Sequence, residues 1–280
     1  MIQHTYEWPH SKKYSIYAKS WERSDDPFGT IGIIHGQSDH SGRYAHVADF
    51  LSAHHYTVMK IDLPGHGKSG GKRGHIDTFQ DYIEAADMLV EALQNLHPGK
   101  PVYLYGHSMG GNVVLNYLLS GKYQVNGCVV TSPWIRLAFE PPKWKKSVGK
   151  LMRNIFPAFQ QPTGLDADFL THDKAINTAY KNDDFVHGKI SSSAFFEIME
   201  HGENILSNAQ KFTQPIFLAH GSSDKITDHT ASRELAALRP DIITYKEFEG
   251  LYHEIHNEPG KQELFNDIIH WLNHQTHHEE

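Results

Sequence analysis

Short apolar runs alternate with segments of helical spacing along most of the chain, and this alternation constrains the fold more than any other feature. The runs are rich in β-branched and aromatic residues, and each ends in a glycine-rich or polar turn, as strands do. They are KKYSIYAKSW (12–21), TIGIIHG (30–36), YTVMKID (56–62), PVYLYG (101–106), GCVVTS (127–132), PIFLAHG (215–221) and IITYKEF (242–248).

Strands separated by helices need crossover connections, so the pattern predicts an α/β fold with a mostly parallel sheet and helices on both faces. The clearest helical segment is 78–96, because its apolar residues fall on one face of a helix. Those residues are Phe79, Ile83, Ala86, Leu89, Val90 and Leu93. The first run is sparser in aliphatic residues and is predicted to be an antiparallel edge strand.

The alternation stops between about Pro133 and Ala209, where no convincing strand is found and the turn-rich stretches SPW and EPP occur. With 280 residues, the chain is long enough for one large domain with an insertion. We therefore expect an α/β core formed by residues 1–132 and 210–280, and a helical cap inserted at 133–209.

The pentapeptide GHSMG (106–110) matches G-x-S-x-G, the nucleophile elbow, and it has a predicted strand before it and a helix after it. A sharp turn of this kind brings strand and helix into near contact, so the residues that flank Ser108 must be small, as Gly106 and Gly110 are. The pattern predicts an exposed serine hydroxyl at the start of a helix. The alternative is a glycine-rich turn with an inert serine.

A serine nucleophile needs a base, normally a histidine that a carboxylate orients. The chain contains 22 histidines, so position along the chain has to choose among them. On a parallel sheet the acid and then the histidine follow later strand ends, which selects Asp224 and His253. Asp228 and His256 lie one helical turn further on and compete with them.

The oxyanion that forms during acyl transfer needs two backbone donors. One is expected at Met109, directly after the serine. The other is expected in the loop after the strand TIGIIHG, where Gln37 follows His35 and Gly36. A plain strand–loop turn is the alternative for this loop.

Composition excludes some classes of protein. The formal net charge of −7 argues against nucleic acid as the main partner, because a phosphate backbone selects for a basic surface. A single cysteine, Cys128, permits no internal disulfide, and its place in an apolar strand predicts a core thiol. With no apolar signal-peptide stretch and no span-length segment, a cytoplasmic protein is expected.

Two further patterns indicate neither a cofactor nor a metal. GHGKSG (65–70) has the G-x-G-x-x-G spacing, but no helix opens at its last glycine, and Asp62 stands where the Walker form requires glycine. His270 and His274 have the i,i+4 spacing of a surface metal pair, although a polar helix face explains them better. We expect no cofactor, and DLPGHGKSGG is predicted to shape the rim of the site.

Five blocks together resemble the monoacylglycerol lipase and lysophospholipase group of the α/β-hydrolase superfamily. They are HGQSDHSGRY, DLPGHGKSGG, GHSMGG, HGSSDKIT and YHEIHNE, and the resemblance covers about residues 25–275. It implies an eight-stranded sheet with a cap after the TSP strand end. It also implies Ser108 as nucleophile, Asp224 as acid, His253 as base, and Gln37 with Met109 as oxyanion donors. The cap stretch WIRLAFEPPKWKK matches no motif of the group.

The cap contains KWKKSVGKLMRNIFPAF (143–159), which has the spacing of a basic amphipathic helix ended by Pro157. Its apolar positions are Trp144, Val148, Leu151, Met152, Ile155, Phe156 and Phe159, and its basic positions are Lys143, Lys145, Lys146, Lys150 and Arg153. Such a helix can dock on an anionic lipid surface, which would make the protein peripheral to a membrane. Alternatively, it buries its apolar face on the core.

The residues and the resemblance together predict a serine hydrolase that cleaves esters of single-chain lipids, with monoacylglycerol as the expected substrate. A lysophospholipase and a short-chain carboxylesterase are the alternatives within enzymes. Aminopeptidase chemistry would need an acidic cluster for a free N-terminus, which the sequence does not identify. From another class, an inactive binding module on the same scaffold would have a broken triad. Oligomeric state stays open.

Overall fold

A computed structural model describes residues 2–11, 14–23, 25–122, 125–140 and 142–276, and for residues 143–146 it describes the backbone alone. Ten strands lie within these ranges and form two sheets. In chain order they are β1 Ile2–Pro9, β2 Ser15–Glu22, β3 Gly29–Ile34, β4 Tyr56–Ile61, β5 Val102–His107, β6 Gly127–Thr131, β7 Gln160–Pro162, β8 Lys189–Ser191, β9 Ile216–Gly221 and β10 Ile243–Phe248.

The main sheet has eight strands in the order β1-β2-β4-β3-β5-β6-β9-β10. The pairs β1–β2 and β2–β4 are antiparallel, and the remaining neighbours are parallel. The central strands β3, β4, β5, β6 and β9 are buried along their whole length, as expected for parallel strands covered on both faces. The predicted α/β-hydrolase fold with an eight-stranded, mostly parallel sheet is confirmed.

One prediction about the sheet edge is wrong. The strand expected at the edge, β2, lies second from the edge, because β1 pairs with it from Ile2 opposite Glu22 to Pro9 opposite Ser15. Most of β1 is exposed, and its alternation of Ile2, Tyr6 and Trp8 with polar residues includes a single aliphatic side chain, so the strand pattern is weak. The polar surface that hides β1 in the sequence is also suited to an edge strand, which must face water.

Helices cover both faces of the sheet. They are α1 Ala45–Ala53, α2 Gln80–Leu96, α3 Met109–Ser120, α4 Lys143–Ile155, α5 Lys174–Lys181, α6 Ser192–Ser207, α7 His229–Leu238 and α8 Gln262–Thr276. Apolar residues of α2, α3, α6 and α7 share one buried cluster, and those of α1 and α8 share a second. The predicted helix at 78–96 is confirmed as α2, and every apolar residue predicted on its inner face is buried.

Residues 133–209 connect β6 to β9 and contain α4, α5, α6 and the strands β7 and β8. The two strands form an antiparallel ribbon, with Gln160 opposite Ser191, so the expectation of a segment without strands is wrong. Each strand has only three residues, QQP and KIS, which is too short for an alternating pattern to be recognised in the sequence.

The last helix of this segment, α6, is fixed to the helix that follows Ser108. The side-chain amide of Asn112 donates to the carbonyl of Ile198 (3.0 Å), and that of Asn116 donates to the carbonyl of His201 (3.1 Å). The amide of Asn204 donates in turn to Oδ1 of Asn116 (2.9 Å). Asn112 and Asn116 are buried, and a mutually satisfied row of amides of this kind rigidifies a helix contact. We retain 133–209 as the proposed cap, with α6 as its core-docked final helix.

Helix α4 turns much of its predicted apolar face towards solvent. Val148, Leu151, Ile155 and Phe156 are 47, 57, 61 and 65% exposed. The opposite face contacts α6, where Gly149 packs against the ring of Phe196 and Arg153 forms ion pairs with Glu197 and Glu200. The side chains at 143–146, including Trp144, lie outside the described residues. In the ranges that are described, no helix is both long and apolar enough to cross a bilayer.

Candidate active site

Ser108 stands between β5 and α3 with φ 54° and ψ −117°, a strained conformation for a residue with a side chain. The residues two positions before and two positions after Ser108 must be glycine for steric reasons. A Cβ on Gly106 would lie 2.5 Å from the carbonyl oxygen of Gly110, and a Cβ on Gly110 would collide with the carbonyl oxygen of Ile34. The strand, the turn and the helix therefore form the geometry that the elbow motif predicts. They place the Ser108 hydroxyl at the positive N-terminal end of α3.

His253 and Asp224 come together from two different loops. Nδ1 of His253 donates to Oδ2 of Asp224 at 2.7 Å, and both side chains are buried. The backbone of His253 is fixed as well, because the hydroxyl of Ser132 donates to its carbonyl (2.8 Å). The imidazole of His253 lies 4.7 Å, centroid to centroid, from that of His107, the residue before Ser108. His253 and Ser108 line the same cavity.

The Asp224 carboxylate is surrounded by hydrogen-bond donors. The amides of Ile226 and Thr227 donate to Oδ1 (2.7 and 3.1 Å), and Nε2 of His220 donates to Oδ2 (3.0 Å). Burial opposes ionisation, but attraction to His253 and the hydrogen bonds from both histidines hold the pKa of Asp224 well below its usual range. An ionised Asp224 fixes the His253 tautomer that presents Nε2 as a base. His220 was not selected from the sequence, since nothing in PIFLAHG distinguishes its histidine.

The competing pair is engaged elsewhere. Asp228 caps α7, and its carboxylate accepts from the amide of Thr230 (2.9 Å). His256 is fully buried, stacks on the ring of Tyr44 at 5.0 Å and lies edge-on to His107 at 4.7 Å. Burial and neighbouring cationic groups hold the pKa of His256 well below its usual value, so it packs as a neutral ring. These contacts favour Asp224 and His253 over the competing pair.

The expected oxyanion donors flank Ser108 from two sides. Met109 is the first residue of α3, and Gly36 lies so close to Ser108 that a Cβ on it would be 3.2 Å from the Cβ of Ser108. Gln37 follows Gly36 and lines the cavity. The Gln37 side chain points to other partners, because Nε2 donates to the carbonyl of Lys189 (3.1 Å) on β8. This contact of the side chain is consistent with the expectation that the backbone N–H of Gln37 is the oxyanion donor.

No residue of DLPGHGKSGG (62–71), the segment predicted to shape the rim, is among the residues that line the cavity; the segment instead supports the loop that carries Gln37. Asp62 accepts from the amide of Ser41 (2.7 Å) through Oδ1 and from the amide of Lys68 (2.7 Å) through Oδ2. The imidazole of His35 accepts from the amide of Leu63 (2.9 Å) and donates to the carbonyl of Gly36 (2.7 Å). These hydrogen bonds connect the 62–71 segment to both ends of the candidate oxyanion loop, at His35 and at Ser41.

Sequence reasoning missed a buried ionic cluster beside the base. Arg43 forms a bidentate pair with Glu254, with Nη1 to Oε1 at 2.7 Å and Nη2 to Oε2 at 2.6 Å, and it also donates to Asp39 (3.0 Å). Burial opposes the ionisation of Glu254, but Arg43 lowers its pKa to about 2. The two carboxylates line the cavity, so acidic groups are present where the sequence identified none, although Arg43 engages both.

A cavity of about 440 Å³ opens over Ser108 and His253. Its polar lining comes from both the core loops and the cap, where Gln161, Thr163 and Ser191 contribute, and most of its apolar lining belongs to the cap. The apolar side chains are Trp134, Leu137, Phe139, Leu165, Phe169, Leu170, Ile190, Phe195, Phe196 and Ile226. A serine, a buried Asp–His pair and backbone donors beside an apolar cavity have the chemistry for acyl transfer to and from an apolar carbonyl compound.

Comparison with known proteins agrees with this geometry. The sequence model of the family described as serine aminopeptidase, S33, matches residues 25–260. A monoacylglycerol lipase of Mycolicibacterium smegmatis is 31% identical, with 90% of each chain covered. Phospholipase YtpA of Bacillus subtilis is 30% identical over 87% of this chain and 94% of that protein. An uncharacterised abhydrolase domain-containing protein of Dictyostelium discoideum is 32% identical over 94% of this chain, which spans 28% of that protein.

Among solved structures, a monoacylglycerol lipase of Paleococcus ferrophilus superimposes with a TM-score of 0.85 at 30% identity. The match covers 93% of this chain and 99% of that chain. The predicted resemblance is thus confirmed over nearly the whole fold. The chain belongs to the S33 family of α/β-hydrolases and, within it, to the monoacylglycerol lipase and phospholipase group of serine hydrolases.

Proposed function

We propose that this protein hydrolyses carboxylic esters of single-chain lipids, with monoacylglycerol as substrate and a fatty acid and glycerol as products. The observation that carries the proposal is the cavity, in which Ser108 and His253 face a wall of aromatic and aliphatic side chains. Burying an acyl chain there is favourable by roughly 0.8 kcal/mol per methylene. Similarity to two monoacylglycerol lipases supports the choice of substrate.

In the proposed reaction, Nε2 of His253 takes the Ser108 proton as the hydroxyl oxygen attacks the ester carbonyl. The backbone N–H groups of Gln37 and Met109 donate to the oxyanion of the tetrahedral intermediate. The alcohol leaves with the proton held by His253, and an acyl-enzyme remains on Ser108. Water, deprotonated by His253, then hydrolyses it. Asp224 stays ionised throughout and stabilises the imidazolium.

The test compares three esters at matched enzyme concentration: monolauroylglycerol, lysophosphatidylcholine and p-nitrophenyl butyrate. Fatty-acid release from monolauroylglycerol is expected to exceed that from the other two in kcat/KM, and Ser108→Ala is expected to abolish all three activities. Preference for lysophosphatidylcholine would make the protein a lysophospholipase. Cleavage of the short ester alone would make it a carboxylesterase. A folded wild type that neither turns over any ester nor reacts with a fluorophosphonate would be a binding module.

We further propose that the exposed face of α4 contacts lipid surfaces transiently and admits substrate to the cavity. Supporting this, Leu151, Ile155 and Phe156 are exposed on α4, while Gly149 on the opposite face lines the cavity. Exposed Lys150 adds positive charge to the same helix, which favours an anionic bilayer. Insertion of this face would bring the cavity entrance to the membrane surface.

Co-sedimentation with vesicles of mixed phosphatidylglycerol and phosphatidylcholine tests this contact. The variant Leu151→Ser/Phe156→Ser is expected to lose most of its vesicle binding while its activity on p-nitrophenyl butyrate is retained. Leu238→Ser is the matched control, because Leu238 is 40% exposed at the end of α7 and does not belong to α4. Equal vesicle binding by wild type and the double variant would overturn the contact.

A further inference from the structure

Two loops that must keep a fixed relation during catalysis meet at one guanidinium, that of Arg43. Arg43 follows the candidate oxyanion loop and donates to Asp39 of that loop (3.0 Å). It also grips both carboxylate oxygens of Glu254, the residue directly after His253. The contact joins residues 211 positions apart. A planar, bidentate Arg–carboxylate pair fixes orientation as well as distance, which a lysine cannot do.

The carboxylates on either side of Arg43 are themselves held. The hydroxyl of Tyr44 donates to Oδ2 of Asp39 (2.9 Å), and the side-chain amide of Asn257 donates to Oε2 of Glu254 (2.8 Å). The side chains of Arg43, Asp39 and Glu254 are 10, 4 and 3% exposed, so solvent screens their interaction little. Ions this well buried and this fully hydrogen-bonded have little freedom to rearrange.

The cap covers the same cluster. The ring of Tyr180, on α5, lies 4.7 Å from the Arg43 guanidinium, and its hydroxyl donates to the carbonyl of Ser38 (3.3 Å). The backbone amide of Glu254 donates to the carbonyl of Leu170 (2.7 Å). This part of the cap is therefore attached to both the candidate oxyanion loop and the loop of the base, in contrast to the exposed α4.

We propose that Arg43 is a positioning residue that holds the oxyanion-donor loop and the His253 loop at a fixed separation through Asp39 and Glu254. The proposal rests on the proposed ester hydrolysis, in which the Gln37 N–H and the His253 imidazole must act on one carbonyl at the same time. Arg43 acts through these loops and stabilises the transition state by preorganisation, because small misplacements of reacting groups are expensive in rate.

Two variants test the proposal with the full chain. Arg43→Lys retains the positive charge but removes the planar guanidinium that makes the bidentate pair. Glu254→Gln retains the shape of the side chain but removes its negative charge. Each is expected to lower kcat for p-nitrophenyl butyrate by about 10- to 100-fold with KM changed less than about threefold. The rate constant for fluorophosphonate labelling of Ser108 should fall by the same factor. The double variant should be no slower than the worse single variant, because both break one contact.

Arg136→Lys is the matched control. Arg136 also joins carboxylates from two helices, Glu203 and Glu234, but is not itself among the residues that line the cavity. Its variant is expected to retain wild-type kcat and fluorophosphonate labelling. Labelling also separates the two proposals. If Ser108 of the wild-type protein reacts with the fluorophosphonate but the protein does not cleave lipid esters, only the substrate proposal is overturned.

The positioning role alone would be overturned if both variants fold, react with the fluorophosphonate at the wild-type rate and hydrolyse p-nitrophenyl butyrate with the wild-type kcat. A loss confined to KM would assign the cluster to substrate binding instead and would also overturn it. If Arg43→Lys does not fold, the isosteric Glu254→Gln decides the question.

Discussion

Oδ2 of Asp224 lies 2.7 Å from Nδ1 of His253, and the opposite edge of the same carboxylate accepts two backbone amides. The carboxylate is thus fixed by its own loop as well as by the imidazole. A loop that places an acid in this way determines which ring nitrogen of His253 carries the proton.

Asp224→Asn is expected to lower kcat by about 10³- to 10⁴-fold, because the amide would favour the wrong imidazole tautomer. Steady-state kinetics on p-nitrophenyl butyrate measures this. Asp228→Asn is the control: asparagine caps a helix as well as aspartate does, so activity and the thermal midpoint should both stay near wild type. Equal losses in the two variants would contradict the assignment of Asp224.

Gly110→Ala is expected to destabilise the fold by about 3 kcal/mol or more, since the added Cβ meets the backbone carbonyl of Ile34, which cannot rotate away. Urea unfolding measures the change. Gly260→Ala provides the comparison, because nothing lies within 4 Å of a Cβ there. A Gly110→Ala protein as stable as wild type would show that α3 and β3 are less tightly apposed than described.

Gln37→Ala is expected to lower kcat only about 2- to 10-fold, because the backbone N–H proposed for the oxyanion is kept while one hydrogen bond to Lys189 is lost. Without the hydrogen bond to Lys189, β8 should be held less firmly, so limited proteolysis near residue 189 should be faster than in wild type. If Gln37→Ala were as inactive as Ser108→Ala, the side chain itself would have to act on the substrate.

Stability below pH 5 is expected to depend on Glu254. Its pKa is about 2 in the folded protein against an ordinary value of 4.5, so the unfolded chain binds more protons between these values. The stabilisation is fully present above about pH 4.5 and is lost as the pH falls towards 2. Urea midpoints measured from pH 5 to 2.5 should fall less steeply for Glu254→Gln than for wild type. Parallel curves would exclude this contribution.

Local patterns predicted much of the fold and of the candidate site. GHSMG requires small residues because strand and helix touch there, and the structure shows those contacts at Gly106 and Gly110. Likewise, the apolar face of α2 is a property of residues close in sequence, and it is buried as predicted. Strand β1 escaped prediction because its alternating pattern contains only one aliphatic residue, Ile2. The ribbon of β7 and β8 escaped because three residues are too few to show a pattern.

The amphipathic pattern of α4 is present in the sequence, but a periodic pattern states only that an apolar face exists, not what covers it. The structure leaves Leu151 and Ile155 on the outside, because Gly149 and Arg153 make the contacts with α6. Burial depends on the partner surface, which is assembled from distant parts of the chain.

By itself, the sequence determined the sheet, the elbow at Ser108 and the order in which acid and base follow it, since each depends on neighbours along the chain and on the direction of parallel strands. The sequence favoured Asp224 over Asp228, and the tertiary structure shows that Asp224 contacts His253; that Arg43 meets Glu254 was decided by the tertiary structure alone. Both pairings depend on how loops from separate strand ends converge at one edge of the sheet. No local pattern encodes a contact across 211 residues.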